Sequence, residues 1–275
     1  MGEELRAVRA ALHPFEEPPI SGTRGSGTVF FVGCSLQCIF CQNREIQAPS
    51  VGKTLSERQL ADLFLLLQEK GAHNVNLVTA THFAQRVANA LRLAKPALRI
   101  PVVWNSSGYE RVEVLQLLEG LVDIYLPDFK FFSPELSALC ANAPDYAEVA
   151  TLAVREMYRQ VGEVTFDGGG LMTRGVMLRH LVLPGQRADS VAVLQHVASL
   201  LPVDKIRLSL MRQYTPEFLQ EGAPRTLSRR VTSFEYDSVA AHAVALGFEG
   251  FFQGKASASA AFTPDFREKN LLDLV

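Results

Sequence analysis

Gly33-Cys34-Ser35-Leu36-Gln37-Cys38-Ile39-Phe40-Cys41 sets three thiols close together, directly after the β-branched and aromatic run Thr28–Val32. The spacing is Cys-x3-Cys-x2-Cys, which lets one loop wrap a single inorganic cluster. A [4Fe–4S] cube has four irons, and each takes a terminal ligand. Three local thiolates leave one iron open, and an open metal position is where catalytic sites bind a small molecule. Clusters that only carry electrons usually fill all four positions with cysteine, so the missing fourth cysteine is the informative feature. The competing reading is a structural zinc site completed by Cys140 or a histidine. Such sites usually show paired two-ligand knuckles, and the sequence has no second pair. Cys140, within Leu136-Ser137-Ala138-Leu139-Cys140-Ala141, reads as a small buried residue of a helix.

Outward from that loop, the segment type alternates. Strand-like apolar runs recur at Asn74–Val78, Arg99–Trp104, Val122–Leu126, Gly175–Leu183 and Lys205–Leu210. Helical signals follow each one. Ser56-Glu57-Arg58-Gln59 is a capping box, and Leu60, Leu63, Phe64 and Leu67 behind it share one helical face. Ser133-Pro134 is a cap with proline at the first helical position. Val191, Leu194, Ala198 and Leu201 form a stripe introduced by Asp189-Ser190. Asp237 opens a last helix that Gly247 closes in a left-handed turn. Six strand–helix units in series imply parallel strands joined by right-handed crossovers, and their near-continuous apolar character fits burial on both faces. A closed eight-fold barrel usually needs about 250 residues, more than residues 28–246 supply. The expected fold is therefore α/β, a partial (β/α)6 TIM-like barrel, with a doubly wound open sheet as the alternative. Ligands then belong at the carboxyl ends of the strands. The expected organisation is one domain over residues 1–275: an N-terminal extension of turns and extended chain (1–27), a barrel core (28–247), and a C-terminal segment (248–275). In that last segment Phe251, Phe252, Phe262 and Phe266 are too apolar for a free tail.

Composition narrows the function. The chain has 275 residues, of which 48% are hydrophobic and 20% charged, so a globular core is affordable without disulfides. A net charge of -2 offers no excess of cations to a phosphate backbone, so no nucleic-acid partner is expected. No apolar run approaches the ~18 residues that span a bilayer, and the start, Met1-Gly2-Glu3-Glu4-Leu5-Arg6, lacks an apolar signal core. A cytoplasmic protein without a membrane partner is expected, and clustered cytosolic cysteines favour metal or redox chemistry over disulfides.

The cysteine spacing, with the aromatic Phe40 directly before the third thiol, is similar to the signature of the radical S-adenosylmethionine (SAM) superfamily. The chain resembles the glycyl-radical-enzyme activases, and in particular the branch of homologues of pyruvate formate-lyase activating enzyme. Stretches that carry this resemblance are Glu17-Pro18-Pro19-Ile20-Ser21-Gly22, Gly25-Ser26-Gly27-Thr28, Gln42-Asn43 behind the cysteines, Tyr125-Leu126-Pro127-Asp128-Phe129-Lys130, Ala143-Pro144-Asp145-Tyr146, Arg179-His180-Leu181-Val182-Leu183-Pro184-Gly185 and Met211-Arg212-Gln213-Tyr214. The resemblance implies that Cys34, Cys38 and Cys41 hold a [4Fe–4S] cluster whose open iron chelates SAM. One electron then cleaves the sulfonium to methionine and a 5′-deoxyadenosyl radical, which abstracts hydrogen from a substrate. That substrate is a glycyl radical enzyme or other protein, or alternatively a small molecule or peptide. A third reading, of another class, is a non-catalytic iron–sulfur or zinc protein. No further cysteine group is present for auxiliary clusters, which argues against the peptide-modifying branch and implies an external electron donor, a flavodoxin or ferredoxin.

The same resemblance implies SAM contacts. Phe40 is expected beside the adenine, or else in ordinary core packing. Asn105, Ser106 and Ser107 follow the third strand, as SAM contacts or as a plain turn. Asp128 and Lys130, two apart, point to one side of an extended chain and sit near SAM or form a structural ion pair. His180, inside the fifth strand, contacts SAM or is hydrogen-bonded core. Gln213 sits at the mouth, and Pro184-Gly185 lets the backbone approach the ribose. The Gly-Gly-Glu of most radical SAM enzymes is replaced by Leu77-Val78-Thr79-Ala80-Thr81-His82. Hydroxyls of Thr79 and Thr81 on one face, or main-chain carbonyls, are expected to receive the methionine amine.

Overall fold

The computed structural model describes residues 4–47, 51–254, 257, 266 and 271–275. In chain order the strands are β1 (Arg6–His13), β2 (Ser26–Phe31), β3 (Lys53–Thr54), β4 (Val75–Val78), β5 (Val102–Ser106), β6 (Ile124–Pro127), β7 (Thr165–Phe166), β8 (Met172–Leu181), β9 (Arg207–Met211) and β10 (Gly250–Phe252). The α-helices are α1 (Pro18–Ser21), α2 (Glu57–Glu69), α3 (Ala84–Ala94), α4 (Val112–Gln116), α5 (Pro134–Ala141), α6 (Tyr146–Val161), α7 (Arg187–Leu200) and α8 (Ser233–Ala245).

One sheet runs in the order β10-β9-β8-β6-β5-β4-β2-β1-β3, with β7 paired to β8 alone. The six expected strands are β2, β4, β5, β6, β8 and β9, and every neighbouring pair among them is parallel. The sheet extends past them on both sides. β10 adds a seventh parallel strand. On the other edge β1 pairs antiparallel with β2, and β3 with β1, so residues 6–13 are sheet where turns and extended chain were expected. Edge strands β3 and β10 do not pair with each other, so the sheet is an unclosed, partial barrel.

Local chemistry sets the helix starts. Ser56 and Gln59 form the expected capping box of α2, and Ser133 accepts the Leu136 amide ahead of Pro134 in α5. Such a cap stabilises by ~1 kcal/mol. Two helices begin earlier than expected. α8 starts at Ser233, because Thr232 and Glu235 make a capping box that outcompetes Asp237. α7 starts at Arg187 and buries Ser190, Val193, Leu194 and Val197, which rotates the inward stripe off Val191 and Ala198. Gly247 has φ 87 and closes α8 as expected.

Strand alternation sorts the core into two layers. Phe31, Leu77, Trp104, Tyr125, Leu178 and Leu208 pack with the crossover helices. Val103, Ile124, Leu126 and Met177 face the inside of the barrel, where Ile20 of α1 joins them and plugs the amino-terminal end. Each fully buried side chain of this kind contributes ~1.5–3 kcal/mol. Near the C-terminus, Phe251 packs on the inner layer, and the Phe266 ring meets that of Phe30 at 5.3 Å. Leu272 is buried, and Phe262 lies outside the described residues.

Candidate active site

The cysteine loop begins where β2 ends. Gly33 has φ 88, in the left-handed region that glycine tolerates without strain, and its N–H donates to the Ile46 carbonyl at 2.9 Å. Leu36 anchors the loop in the helix-side core. Ile39 is clamped on both sides: its N–H donates to the Cys140 carbonyl and its own carbonyl accepts from Gln220, both at 2.9 Å. The Leu36 N–H points at the Cys34 sulfur, 3.5 Å away. So pinned, Cys34, Cys38 and Cys41 line one cavity of about 120 Å³ with Val78, Thr79, Asn105, Ser106, Ser107, Asp128, Lys130 and Arg179. A mouth cavity of about 210 Å³ shares Cys38, Cys41, Asp128, Lys130 and Arg179 and adds Glu16, Phe40 and Gln213. Both lie at the carboxyl ends of the parallel strands. A larger cavity of about 490 Å³ sits at the opposite ends of β5 and β6, beside Pro101, Val102 and Asp123. It is far from the thiols, and the chemistry, not the volume, marks the site.

Charge in the site is concentrated and paired. Asp128 bonds Lys130 and, at 2.9 Å, the Arg179 Nε. Burial works to raise the Asp128 carboxyl, but the Arg179 and Lys130 cations outweigh it and hold it below its ordinary range. Burial likewise works to lower Lys130, and the Asp128 charge reverses that, so the ammonium is kept. Arg179 also donates from Nη2 to Asn105 Oδ1 at 2.7 Å. Glu16 lies 3.6 Å from Arg179 Nη1. Burial pushes its carboxyl up to about 7 against the pull of Arg179. The three thiols are all raised, first by burial, with Cys38 reaching about 12.

Tyr146 joins the two loops behind these charges. Its hydroxyl lies 2.8 Å from the Ser107 carbonyl and 2.9 Å from that of Asp128, and it accepts the Lys130 N–H at 2.9 Å. At Gly108 a Cβ would meet the Asp128 carbonyl oxygen at 2.1 Å, and φ is +73. Only glycine lets the β5 and β6 loops approach this closely.

Most of the residues expected from sequence come together. Phe40 lines the mouth and also packs against Phe131 and Tyr214 at 6.3 and 5.9 Å. Asn105, Ser106 and Ser107 reach the cavity. The Ser107 hydroxyl is 3.2 Å from that of Ser35 on the cysteine loop, while Ser106 donates to buried Glu110. Asp128 and Lys130 share the inner face, with Phe129 between them in the helix-side core. Gln213 is at the mouth, its Oε1 accepting from Gln253 at 3.2 Å.

Others separate. His180 has the parity of Leu178 and Val182 and faces the helix side. There its Nδ1–H donates to the Phe129 carbonyl at 2.7 Å, and burial lowers its pKa to about 4. Thr79 lines the cavity, but Thr81 does not share its face. Thr79 has φ 57, which breaks the strand's period of two, and Thr81 turns away to bond Glu110 at 2.7 Å. His82 meets the Val32 carbonyl at 2.6 Å. The Gly185 N–H is held by Glu235 at 2.7 Å. Cys140 stays in the helix-side core.

Arg179, Glu16 and Tyr146 were not expected as site residues. A charged residue inside the apolar run Met177–Leu183 was the available signal for Arg179. Tyr146 lies in a stretch that carries the resemblance, Ala143-Pro144-Asp145-Tyr146, and nothing local marked Glu16.

The family model of the radical SAM superfamily matches residues 28–189, from β2 to the start of α7. The chain belongs to the radical SAM superfamily. It is similar to the uncharacterized protein MJ0674 of Methanocaldococcus jannaschii, 28% identical over 219 residues, which are 77% of this chain and 60% of that relative. The chain thus spans less than two thirds of the length of that relative. Two solved structures share the fold. Methylornithine synthase (PylB) superposes with a TM-score of 0.50 at 15% identity, over 77% of this chain and 59% of that one. Streptococcus suis SuiB, bound to its precursor peptide SuiA, superposes with a TM-score of 0.54 at 9% identity, over 81% and 47%.

Members of this radical SAM superfamily use a [4Fe–4S] cluster and SAM, and the residues present fit both groups. Three thiols line a cavity instead of closing round a point. Among the described residues, no three His, Cys, Asp or Glu side chains are grouped to hold a single ion. Burial raises all three thiols, and the Lys130 charge works against that rise at each of them, the direction a cluster of deprotonated sulfurs needs. Polar side chains from the ends of β4, β5, β6 and β8 surround the remaining space.

Proposed function

We propose that this chain is a radical SAM enzyme in which Cys34, Cys38 and Cys41 hold the cluster and the strand-end residues hold SAM. When bound, cluster and SAM supply reductive cleavage of the sulfonium and a 5′-deoxyadenosyl radical that takes hydrogen from a substrate. The observation that carries the reading is the convergence of three thiols with Lys130 and Arg179 on one cavity at the carboxyl ends of the strands. Lys130 keeps its ammonium at the inner wall, suited to an anionic group such as a carboxylate. Asn105 and Ser107 offer hydrogen bonds without charge. Tyr146 fixes the Ser107 and Asp128 main chain, which spares those loops a reorganisation when ligands bind. Phe40 shields the thiol side of the mouth from water.

Anaerobic reconstitution with iron and sulfide, followed by dithionite and SAM, tests this reading. Release of 5′-deoxyadenosine and methionine is expected, and a loaded cluster that releases neither overturns it. In the cell the electron comes from a flavodoxin or ferredoxin on this proposal.

On the finer level, the sequence stretches shared with the activases support abstraction from a glycine of a partner enzyme. The expected mark is a carbon-centred radical signal on that partner by electron paramagnetic resonance. A small molecule or peptide as substrate is the second reading, and the polar inner floor that opens to the mouth favours it. Among the described residues no helix is long and apolar enough to cross a membrane.

A further inference from the structure

The inside of the barrel below the cavity carries a group of acceptors that the proposed cluster and SAM contacts do not use. Glu16 follows β1 and enters the barrel ahead of the α1 plug. Its side chain is only 10% exposed, yet it lines the mouth cavity. Its Oε1 accepts from Asn76 Nδ2 at 3.1 Å and from Asn105 Nδ2 at 3.4 Å. The cation nearest to it, Arg179, spends its short contacts on Asp128 and Asn105 and stays 3.6 Å from Glu16.

Asn76 is fully buried, and with its amide nitrogen on Glu16 its Oδ1 has no hydrogen-bond partner. Glu17, close enough to raise the Glu16 carboxyl, has a buried Oε2 that is also without a partner. A buried acceptor left unpaired costs about 1–3 kcal/mol. Asn76 Oδ1 and Glu17 Oε2 are both acceptors, so acceptor chemistry dominates the surroundings of Glu16 and favours a ligand that donates. An ammonium brings three donors and a positive charge, and it suits a carboxylate whose neighbouring cation, Arg179, gives its short contacts to Asp128 and Asn105.

We propose that Glu16, which lines the mouth cavity and is held by Asn76 from within the core, binds a protonated primary amine of the substrate. This deepens the radical SAM reading and rests on it for the identity of the substrate, because the amine-bearing molecule is the one presented to the radical. A substrate that reaches Glu16 is a small amine or an amine-bearing side chain.

The test uses the anaerobically reconstituted, cluster-loaded enzyme and n-propylammonium chloride as the probe, read by titration calorimetry at constant chloride. Saturable binding is expected, at least tenfold weaker for 1-propanol and for propionate. In Glu16→Gln, which keeps the side-chain shape, affinity for the amine is expected to fall at least tenfold. No saturable binding of the amine, equal binding of 1-propanol, or an unchanged affinity in Glu16→Gln overturns the proposal. The comparison of amine with alcohol needs no variant, so a poorly folded Glu16→Gln leaves it decisive. Adding SAM and dithionite to the same preparation separates the two readings: missing 5′-deoxyadenosine sinks the radical chemistry, whereas a missing amine response sinks only the Glu16 site.

Discussion

Arg179 and His180 are adjacent on β8 and end in different worlds. Arg179 turns into the barrel, pairs with Asp128 and faces the thiol cavity. His180 turns toward the helices and gives its one proton to a main-chain carbonyl. Both are ionisable, and both sit in a strand of the barrel, Arg179 partly and His180 fully buried, so composition does not separate them. What separates them is the period of two along a strand, read against Met177 on the inner layer and Leu178 on the outer. A polar residue inside a barrel strand has a functional reading on the inner face and a packing reading on the outer one.

The sharpest way to break this comparison is to remove the inner partner. Arg179→Met leaves Asp128 with Lys130 alone and should cost about 3–5 kcal/mol of stability, the usual penalty for breaking a buried pair. It should also cut 5′-deoxyadenosine formation at least a hundredfold per folded molecule. Denaturant unfolding and single-turnover product analysis measure the two effects. Activity near that of the parent would put Arg179 outside the site.

Acid and base arms of the same comparison have opposite signs. Glu16, on the inner side, has its pKa raised from 4.5 to about 7 by burial. A raised acid holds its proton more tightly when folded, so its contribution is present below pH ~4.5 and lost as pH rises through 7. His180 is lowered from 6.5 to about 4 by burial. A lowered base contributes above pH ~6.5, and that is lost as pH falls through 4. Each term amounts to at most ~3 kcal/mol across its window, and in the parent they largely cancel between pH 4.5 and 6.5. Relative to the parent, Glu16→Gln should therefore gain stability as pH rises through that window, and His180→Asn should lose it. Urea unfolding at pH 5, 6 and 7 reads both slopes. Parallel profiles for the two variants would contradict the burial-driven shifts of Glu16 and His180.

His180→Asn should further lose ~1–3 kcal/mol through imperfect packing while keeping the SAM-induced change in the reduced cluster signal. A lost SAM response would return His180 to the site. The smallest effect belongs to the tie behind the inner face. Tyr146→Phe removes one hydroxyl shared by three main-chain groups. A loss of ~1–2 kcal/mol should appear as a several-fold rise in KM for SAM with little change in kcat.

The order of strands and helices was readable because each element carries its own signal. Apolar runs mark strands buried on both faces, and Ser56 and Ser133 announce caps in their immediate neighbours. The thiols of Cys34, Cys38 and Cys41 were readable because one short loop holds all three. Alternation does not reach Thr81, because at Thr79 the backbone enters a left-handed conformation that β-branched residues rarely adopt. α8 begins before Asp237 because its start is set by a pair, Thr232 and Glu235, and not by a single acidic residue.

What the chain order alone determined was a repeating strand–helix architecture and a three-thiol loop at the end of its first parallel strand, because both are written in contacts between near neighbours. Tertiary structure decided what stands around that loop. Arg179 meets Asp128 from 51 residues away, and Glu16 reaches Asn76 from 60. Tyr146 ties Ser107 to Asp128. These partners are fixed by which face each strand turns inward and by how neighbouring strand ends converge, and no local pattern encodes either.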